Sequence, residues 1–350
     1  MVDFPKIIHT SDLHLSEDKP ETLDALNKIL ELAEMHKVDL VTIAGDVFNT
    51  AEDAEGLRPL LRTKFSNLDF EIIAIPGNHD LDAYAGNLNF GSDLTLVTDE
   101  PYQVLKRKDV SIVAVPYVDR PDEELLRQLK REAETAESCV LLLHCTLDIG
   151  YSTGDFGEET RYFPISKKVL ESLGFDHVLA GHFHRDTHLR RLEGKGFFVY
   201  PGSPVSLSKS EQGKRNVVLF EDWDRPVALP LPTFYYDSKE FFVTPDREDD
   251  VLGEIREWYD ARCGDNCSLD IVVDGFITLD ENVFSDRIKQ VCENAELDLK
   301  FRDVSEVLNH QLYVSFVEKI RKEKMEHEDQ VQQLVMNAMA RLLRTREIRG

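Results

Sequence analysis

The chain has 350 residues, 42% hydrophobic and 31% charged, with a formal net charge of −25 at neutral pH. This is globular composition with room for one large domain and a smaller one; its acidity excludes a passive nucleic-acid coating protein, whose affinity would rest on clustered Lys and Arg. No apolar run reaches the roughly 20 residues that span a bilayer, and MVDFPKIIHT lacks a basic end leading into a signal-type apolar core, so a cytoplasmic protein without a membrane partner is expected.

Residues 6–10 read as a short buried strand running into Ser11-Asp12-Leu13-His14. In an extended segment the two-residue spacing of Asp12 and His14 puts a carboxylate and an imidazole on one face, as needed to hold one ion. His9, inside the apolar run, reads as a satisfied core histidine or a supporting group. Residues 22–36 carry Leu23, Leu26, Ile29, Leu30 and Ala33 at the 3.6-residue period of an amphipathic helix. A second strand, 38–44, closes on Gly45-Asp46. Helix 57–65 and strand 71–75 follow, and that strand breaks at Pro76-Gly77 into Asn78, His79 and Asp80. Glycine lets the chain turn sharply there, so an amide oxygen and an imidazole can face the same space.

Residues 81–99, with scattered Gly, Asn, Asp and Ser, predict a long surface loop able to meet a substrate. Strands 102–105 and 110–115, helix 122–136 and strand 139–143, ending at His144, come next. The Gly- and Thr-rich segment 147–163 is a second candidate substrate loop. Strand 175–179 leads to Gly181-His182-Phe183-His184, again two imidazoles two apart at a strand end. Strand 197–199, the turn YPGSP over 200–204 and strand 216–220 complete a domain near residue 230, and the proline-rich stretch 229–233 predicts a linker. Beyond it, strands 240–244, 268–273 and 298–302 alternate with helices 249–261 and 282–293, without a metal-ligand set. The five cysteines are expected as free thiols, because the pair in CGDNC has no second pair to complete a zinc site. Residues 309–320 and 328–344 read as helices. The stripe Val331, Leu334, Val335, Ala338 and Leu342 is either core filling or a docking face for a partner's apolar groove, and Arg341, Arg344, Arg346 and Arg349 make the end locally basic.

The strand ends together supply Asp12, His14, Asp46, Asn78, His144, His182 and His184, with His79 beside them. Oxygen and nitrogen ligands without thiolate suit manganese, iron or zinc, and a bridging carboxylate allows two ions about 3.5–4 Å apart. A phosphodiester repels hydroxide; two cations answer this by neutralising the phosphoryl oxygens, creating hydroxide near neutral pH and stabilising the departing oxygen.

The ordered set DLH, GD, GNHD, LLLH and GHFH resembles the calcineurin-like metallophosphoesterases, and HTSDLHL with YPGSP resembles more narrowly the DNA-repair exonucleases of the SbcD and Mre type. The motifs cover residues 6 to about 220. The resemblance implies an α/β fold: a four-layer α-β-β-α metallophosphoesterase sandwich over 1–230, a small α/β capping domain that positions DNA over 235–305, and C-terminal helices over 306–350. It also implies that Asp12, His14, Asp46 and His184 hold one ion and Asp46, Asn78, His144 and His182 the other. His79 would bind the scissile phosphate or protonate the leaving oxygen, with Asp80 orienting it from behind. The implied cofactors are two divalent ions, manganese by preference, with iron, zinc or magnesium as alternatives. The implied partners are DNA and a coiled-coil SMC-like ATPase subunit, with a homodimer as a further option. Two positions depart from the family pattern: Ser16 stands where glycine is common, and Asn49 where the repair nucleases often have histidine.

The functional expectation is therefore a manganese-dependent DNA exonuclease or endonuclease acting by a two-metal mechanism. The alternative is a phosphodiesterase or phosphatase acting on a small molecule or a protein. GDVFNT and GNHD, in place of GDxVDRG and GNHE, weigh against the protein-phosphatase branch. A binding scaffold that has lost its chemistry fits least, because the ligand set is complete.

Overall fold

The structure is a computed structural model that describes residues 3–84, 86, 89–148, 162–193, 196–245, 247–323 and 327–347, without the side chains at 321, 323, 328, 329 and 344–347. The chain divides into two compact units, Met1–Tyr235 and Tyr236–Gly350.

The first unit opens with β1 (Ile7–Thr10), α1 (Pro20–His36), β2 (Leu40–Ala44), α2 (Ala51–Lys64), β3 (Glu71–Ile75) and β4 (Leu94–Leu96). There follow β5 (Gln103–Arg107), β6 (Val110–Ala114), α3 (Glu123–Thr135), β7 (Cys139–His144), β8 (Thr146–Asp148), β9 (Pro164–Ser166) and α4 (Lys167–Leu173). It closes with β10 (His177–Gly181), β11 (His188–Arg191), β12 (Phe197–Tyr200), β13 (Arg215–Phe220) and β14 (Val227–Leu231). Two six-stranded sheets result, in the orders β14-β13-β1-β2-β3-β4 and β11-β12-β10-β7-β6-β5.

Alternation along the central strands builds the layers. Ile7, Leu40, Ala44, Ile73 and Ile75 of the first sheet meet Ile112, Ala114, Val140, Leu142 and Leu179 of the second. The residues between them face outward: Ile8, Val41, Ile43 and Ile72 pack on Leu26 and Ile29 of α1 and Leu57 and Leu61 of α2. On the far side Val113, Leu141, Leu143 and Val178 meet Leu125 and Leu129 of α3 and Leu170 and Leu173 of α4. The unit is thus a four-layer α-β-β-α sandwich. Strands buried on both faces read as near-continuous apolar runs, which is why they stand out in the sequence. His9 lies between the sheets, its ring nitrogens 3.0 Å from Thr42 Oγ1 and 3.2 Å from the Ala180 carbonyl, a satisfied core histidine as expected.

Register brings the chemistry to one level. β1, β2 and β3 are parallel, with Thr10 opposite Ile43 and Ala44 opposite Ile75; in the other sheet β7 and β10 are parallel, with His144 opposite Gly181. The chain leaves all five strands at the same edge of the sandwich.

Two expectations need correction. Residues 81–99 are not simply a loop, because a 3₁₀ turn (Leu81–Tyr84) and β4 lie within them. Tyr84 and Phe90 are buried against Phe48, at ring separations of 6.0 and 5.2 Å, and this aromatic burial is masked in the sequence by the polar residues around it. The predicted linker 229–233 overlaps β14, an edge strand, where a missing N–H at Pro230 is tolerated. The sequence pattern also does not forecast β8, β9, α4 and β11. The candidate loop 147–163 lies mostly outside the described residues.

The second unit holds β15 (Tyr235–Val243), α5 (Glu248–Asp260), β16 (Cys267–Ile277), α6 (Glu281–Val291), β17 (Ala295–Asp303), α7 (Ser305–Leu308), α8 (Gln311–Glu323) and α9 (Glu328–Glu347). Its sheet runs β15-β16-β17, with β16 and β17 parallel. Val251 and Ile255 of α5 and Phe284 and Ile288 of α6 pack on Ile271 and Val273. A separate cluster joins Phe276 and Val307 to Tyr313 of α8 and Met336, Met339 and Ala340 of α9. The buried face of α9 is therefore offset from the predicted stripe: Val335 packs at the edge of the cluster, while Leu334 and Leu342 are 67% and 42% exposed. The C-terminal helices fill a core and also leave large apolar side chains exposed, among them Leu312, Phe316, Leu334 and Leu342. The five cysteines are thiols and not disulfide-bonded, and among the described residues no helix is long and apolar enough to cross a membrane.

Candidate metal centre

The loops that leave β1 and β2 bind each other through their backbones: Asp12 N–H donates to the Gly45 carbonyl at 3.1 Å, His14 to Asp46 at 3.0 Å and Leu15 to Val47 at 2.9 Å. This pairing bends both loops. Asp12, His14 and Asp46 take φ of +54°, +45° and +50°, and His182 takes +111°, left-handed conformations that cost non-glycine residues on the order of 1–3 kcal/mol each. Gly77 permits a close approach, because a Cβ there would collide with the Asp46 carboxylate.

The strained residues are brought to one place. One ligand atom each from Asp12, His14, Asp46 and His184 lie within 4.8 Å of one another, a group able to hold a metal ion. His14 Nε2 is 3.2 Å from His184 Nε2 and 3.7 Å from Asp46 Oδ2. On the other side of Asp46, His144 Nε2 lies 3.5 Å from the same Oδ2, 2.9 Å from Asn78 Oδ1 and 3.3 Å from His182 Nδ1. Every metal-ligand candidate read from the sequence thus falls in one of two groups that share Asp46.

The donor chemistry fits cations. His144 Nδ1 lies 2.9 Å from the Ala44 carbonyl, and His184 Nδ1 lies 3.1 Å from Glu211 Oε1. Each contact requires a proton on Nδ1, so in the neutral ring Nε2 carries a lone pair. Those lone pairs point at other nitrogens and oxygens, which is repulsive unless positive charge lies between them. Asp46 Oδ1 accepts the His79 N–H at 2.9 Å, but its buried Oδ2 has no hydrogen-bond partner. An orphaned carboxylate oxygen between two sets of imidazoles is what a bridging ligand looks like.

Electrostatics follow the same geometry. Burial works against a charge on Asp12, yet the His184 and His144 rings and the Ser11 hydroxyl hold its pKa below the ordinary carboxylate value. Burial, and then the charge of His184, press His14 well below the usual histidine range. For His184 burial is outweighed by the hydrogen bond to Glu211 and the charges of Asp12, Glu211 and Asp46, which raise it to about 9.

His79 is exposed at the mouth of the cluster, its ring centroid 4.9 Å from that of His14. Asp80 is fully buried, and its carboxylate accepts the amides of Gly77 and Val47 at 2.7 Å and of Phe48 at 3.3 Å, and the Tyr84 hydroxyl at 2.6 Å. None of these partners is the His79 ring. Instead Asp80 ties the Gly77 turn to the loop after β2, so it positions the backbone that carries Asp46 and His79. Burial and the nearby Asp46 charge push its pKa up to about 6.

Sequence reasoning missed three supports. Ser203 Oγ donates to the Asp12 carbonyl at 2.9 Å, Arg215 bonds the carbonyls of Ser203 and His184, and Glu211 holds the His184 ring. YPGSP marked the first; nothing local marks the other two.

Seven convergent candidate ligands at the carboxyl ends of parallel strands, in an α-β-β-α sandwich, are the pattern of a metal-dependent phosphoesterase. The chain belongs to the calcineurin-like phosphoesterases, whose family pattern matches residues 5–186. It is similar to the SbcD component of the SbcCD nuclease of Escherichia coli strain K12, 25% identical over 314 residues, covering 73% of this chain and 77% of the relative. It is also similar to the SbcD component of the SbcCD nuclease of Staphylococcus epidermidis, 27% identical over 242 residues and covering 59% and 63% of the two chains. Among solved structures, a dimetal phosphatase from Danio rerio aligns at 12% identity with a TM-score of 0.47, covering 65% of this chain and 96% of the other.

Proposed function

We propose that the chain is a manganese-dependent DNA nuclease, exonuclease and endonuclease, and the nuclease subunit of a DNA-repair complex with a coiled-coil ATPase. The observation that carries this reading is the buried, unpartnered Asp46 Oδ2 between the two imidazole groups, together with similarity to relatives named as nuclease subunits. In this reading Asp12, His14, Asp46 and His184 hold one ion, and Asp46, Asn78, His144 and His182 the other. Bound there, the ions would neutralise the phosphodiester and lower the pKa of water.

The chain's own residues do the rest. The His79 backbone is anchored on Asp46 Oδ1, which leaves its exposed imidazole free to bind the scissile phosphate or protonate the departing oxygen. Asp80 keeps that turn against the loop carrying Asp46. Residues 235–305 serve as the DNA-positioning part, and the exposed apolar side chains of the C-terminal helices, Leu312, Phe316, Leu334 and Leu342, dock the ATPase.

The test is hydrolysis of end-labelled duplex DNA, of bis-p-nitrophenyl phosphate and of p-nitrophenyl phosphate, with manganese added to chelator-treated protein. Manganese-restored cleavage of DNA and of the diester, lost in His79→Ala, is expected. Fast monoester hydrolysis without DNA cleavage, with the ATPase present or absent, would instead support a small-molecule or protein phosphatase, the reading that the net charge of −25 favours.

A further inference from the structure

Two histidines of the centre are held from behind in different ways. His144 rests its Nδ1 on a neutral main-chain oxygen, the Ala44 carbonyl at 2.9 Å. His184 rests its Nδ1 on a side-chain carboxylate, Glu211 Oε1 at 3.1 Å. The carbonyl is fixed by the strand itself, whereas the carboxylate has to be built.

Glu211 is built for that contact. It is 6% exposed, its Oε2 accepts the Leu207 amide at 2.8 Å, and its own carbonyl accepts Ser206 Oγ at 2.5 Å while its N–H donates to the Ser208 carbonyl at 3.1 Å. The turn is closed at both ends, so the carboxylate has little freedom other than to face His184. Arg215, also buried, bonds the His184 carbonyl and, at 2.9 Å, the Ser203 carbonyl. Ring and backbone of His184 are therefore fixed by two residues more than 25 positions later in the chain.

We propose that Glu211 is the positioning residue for His184, fixing its ring with Nε2 toward Asp12 and His14 and setting the cation affinity of that one position of the centre. The inference rests on the two-ion reading of the site. A buried carboxylate accepting from Nδ1 locks the tautomer in which Nε2 donates its lone pair, and makes that nitrogen more basic. Glutamine keeps the shape but loses the charge, and its amide group cannot accept from both the ring and the Leu207 N–H. Alanine removes the anchor entirely.

The experiment is calorimetric titration of manganese into the metal-stripped full-length chain, with melting of the stripped proteins and paramagnetic resonance of the loaded ones. Wild type should take two ions per chain and give the signal of a coupled pair. Glu211→Gln should keep one affinity unchanged and weaken the other by about 10-fold, and Glu211→Ala by about 100-fold. At limiting manganese both variants should give a single-ion signal, and Glu211→Gln should melt with wild type when stripped. Unchanged affinities in both variants overturn the proposal, as does an equal fall of both affinities with a lower melting temperature in Glu211→Gln, which would make Glu211 merely structural. If Glu211→Ala does not fold, Glu211→Gln decides. Fewer than two ions in wild type would overturn the two-ion reading itself, which is a different result from two ions held equally well by every variant.

Discussion

The two units use the same alternation of strand and helix and part ways at their strand ends. In the first, β1, β2, β3, β7 and β10 run out at one edge into residues with left-handed backbones, close glycines and a carboxylate oxygen without a partner. In the second, β16 and β17 end in register at Ile277 and Asp303, and the helix that follows packs its apolar side chains onto Phe276. The only metal-ligating group among the described residues lies in the first unit. Alternation therefore indicates a layered fold and nothing about chemistry. Strain and unsatisfied polarity, kept despite their cost in stability, mark the working edge.

The comparison predicts that damage at the working edge changes rate and damage elsewhere changes stability. His79→Ala should lower the rate by about 10²–10⁴ while the metal content measured by mass spectrometry stays as in wild type. Loss of metal along with rate would merge two roles that the geometry separates.

In the second unit the largest effect should come from removing residues 328–350. This strips Met336, Met339 and Ala340 from Phe276 and Val307, a loss of about 3–6 kcal/mol at 1.5–3 kcal/mol for each large buried side chain. Differential scanning calorimetry should show the second unit melting earlier, with hydrolysis of bis-p-nitrophenyl phosphate unchanged. An unchanged melting profile would mean that these helices wait for a partner and fill no core.

Asp80→Ala leaves three amides and the Tyr84 hydroxyl without their acceptor and should cost about 3 kcal/mol or more in urea unfolding. Tyr84→Phe, losing one bond, should cost nearer 1 kcal/mol. Equal stability of Asp80→Ala and wild type would refute the backbone-tying role.

A smaller effect should appear with pH. Burial lowers the His177 pKa from 6.5 to about 4, and its Nδ1 accepts the Phe197 N–H at 3.1 Å, which a protonated ring cannot do. The unfolded chain then takes up the proton first, so this contribution is whole above about 6.5 and is lost as pH falls toward 4. Between pH 7 and 5 wild type should lose on the order of 2 kcal/mol more than His177→Gln. Parallel pH profiles would remove His177 from the account.

Much of this is legible in the sequence, for a physical reason. Strands buried on both faces are continuous apolar runs, so a polar residue where such a run stops is conspicuous, and Asp12, Asp46, Asn78, His144, His182 and His184 each follow one. The role of Asp80 is not legible, because its partners Val47 and Phe48 come from a loop more than 30 residues earlier. Glu211 and Arg215 sit in a polar turn without periodicity, and only the fold shows that they face His184. The face that α9 buries is hidden for a related reason: its leucines draw the eye to one side of the helix, yet solvent reaches Leu334 and Leu342 while Met336 and Met339 fill the core.

The central claim is that one carboxylate, Asp46, serves both cation positions. Metal equivalents bound to wild type, Asp46→Asn and His184→Ala, counted by mass spectrometry after equilibrium dialysis against micromolar manganese, test it most directly. The account predicts two equivalents in wild type, about one in His184→Ala, and depletion at both positions in Asp46→Asn. Two full equivalents retained by Asp46→Asn would contradict it.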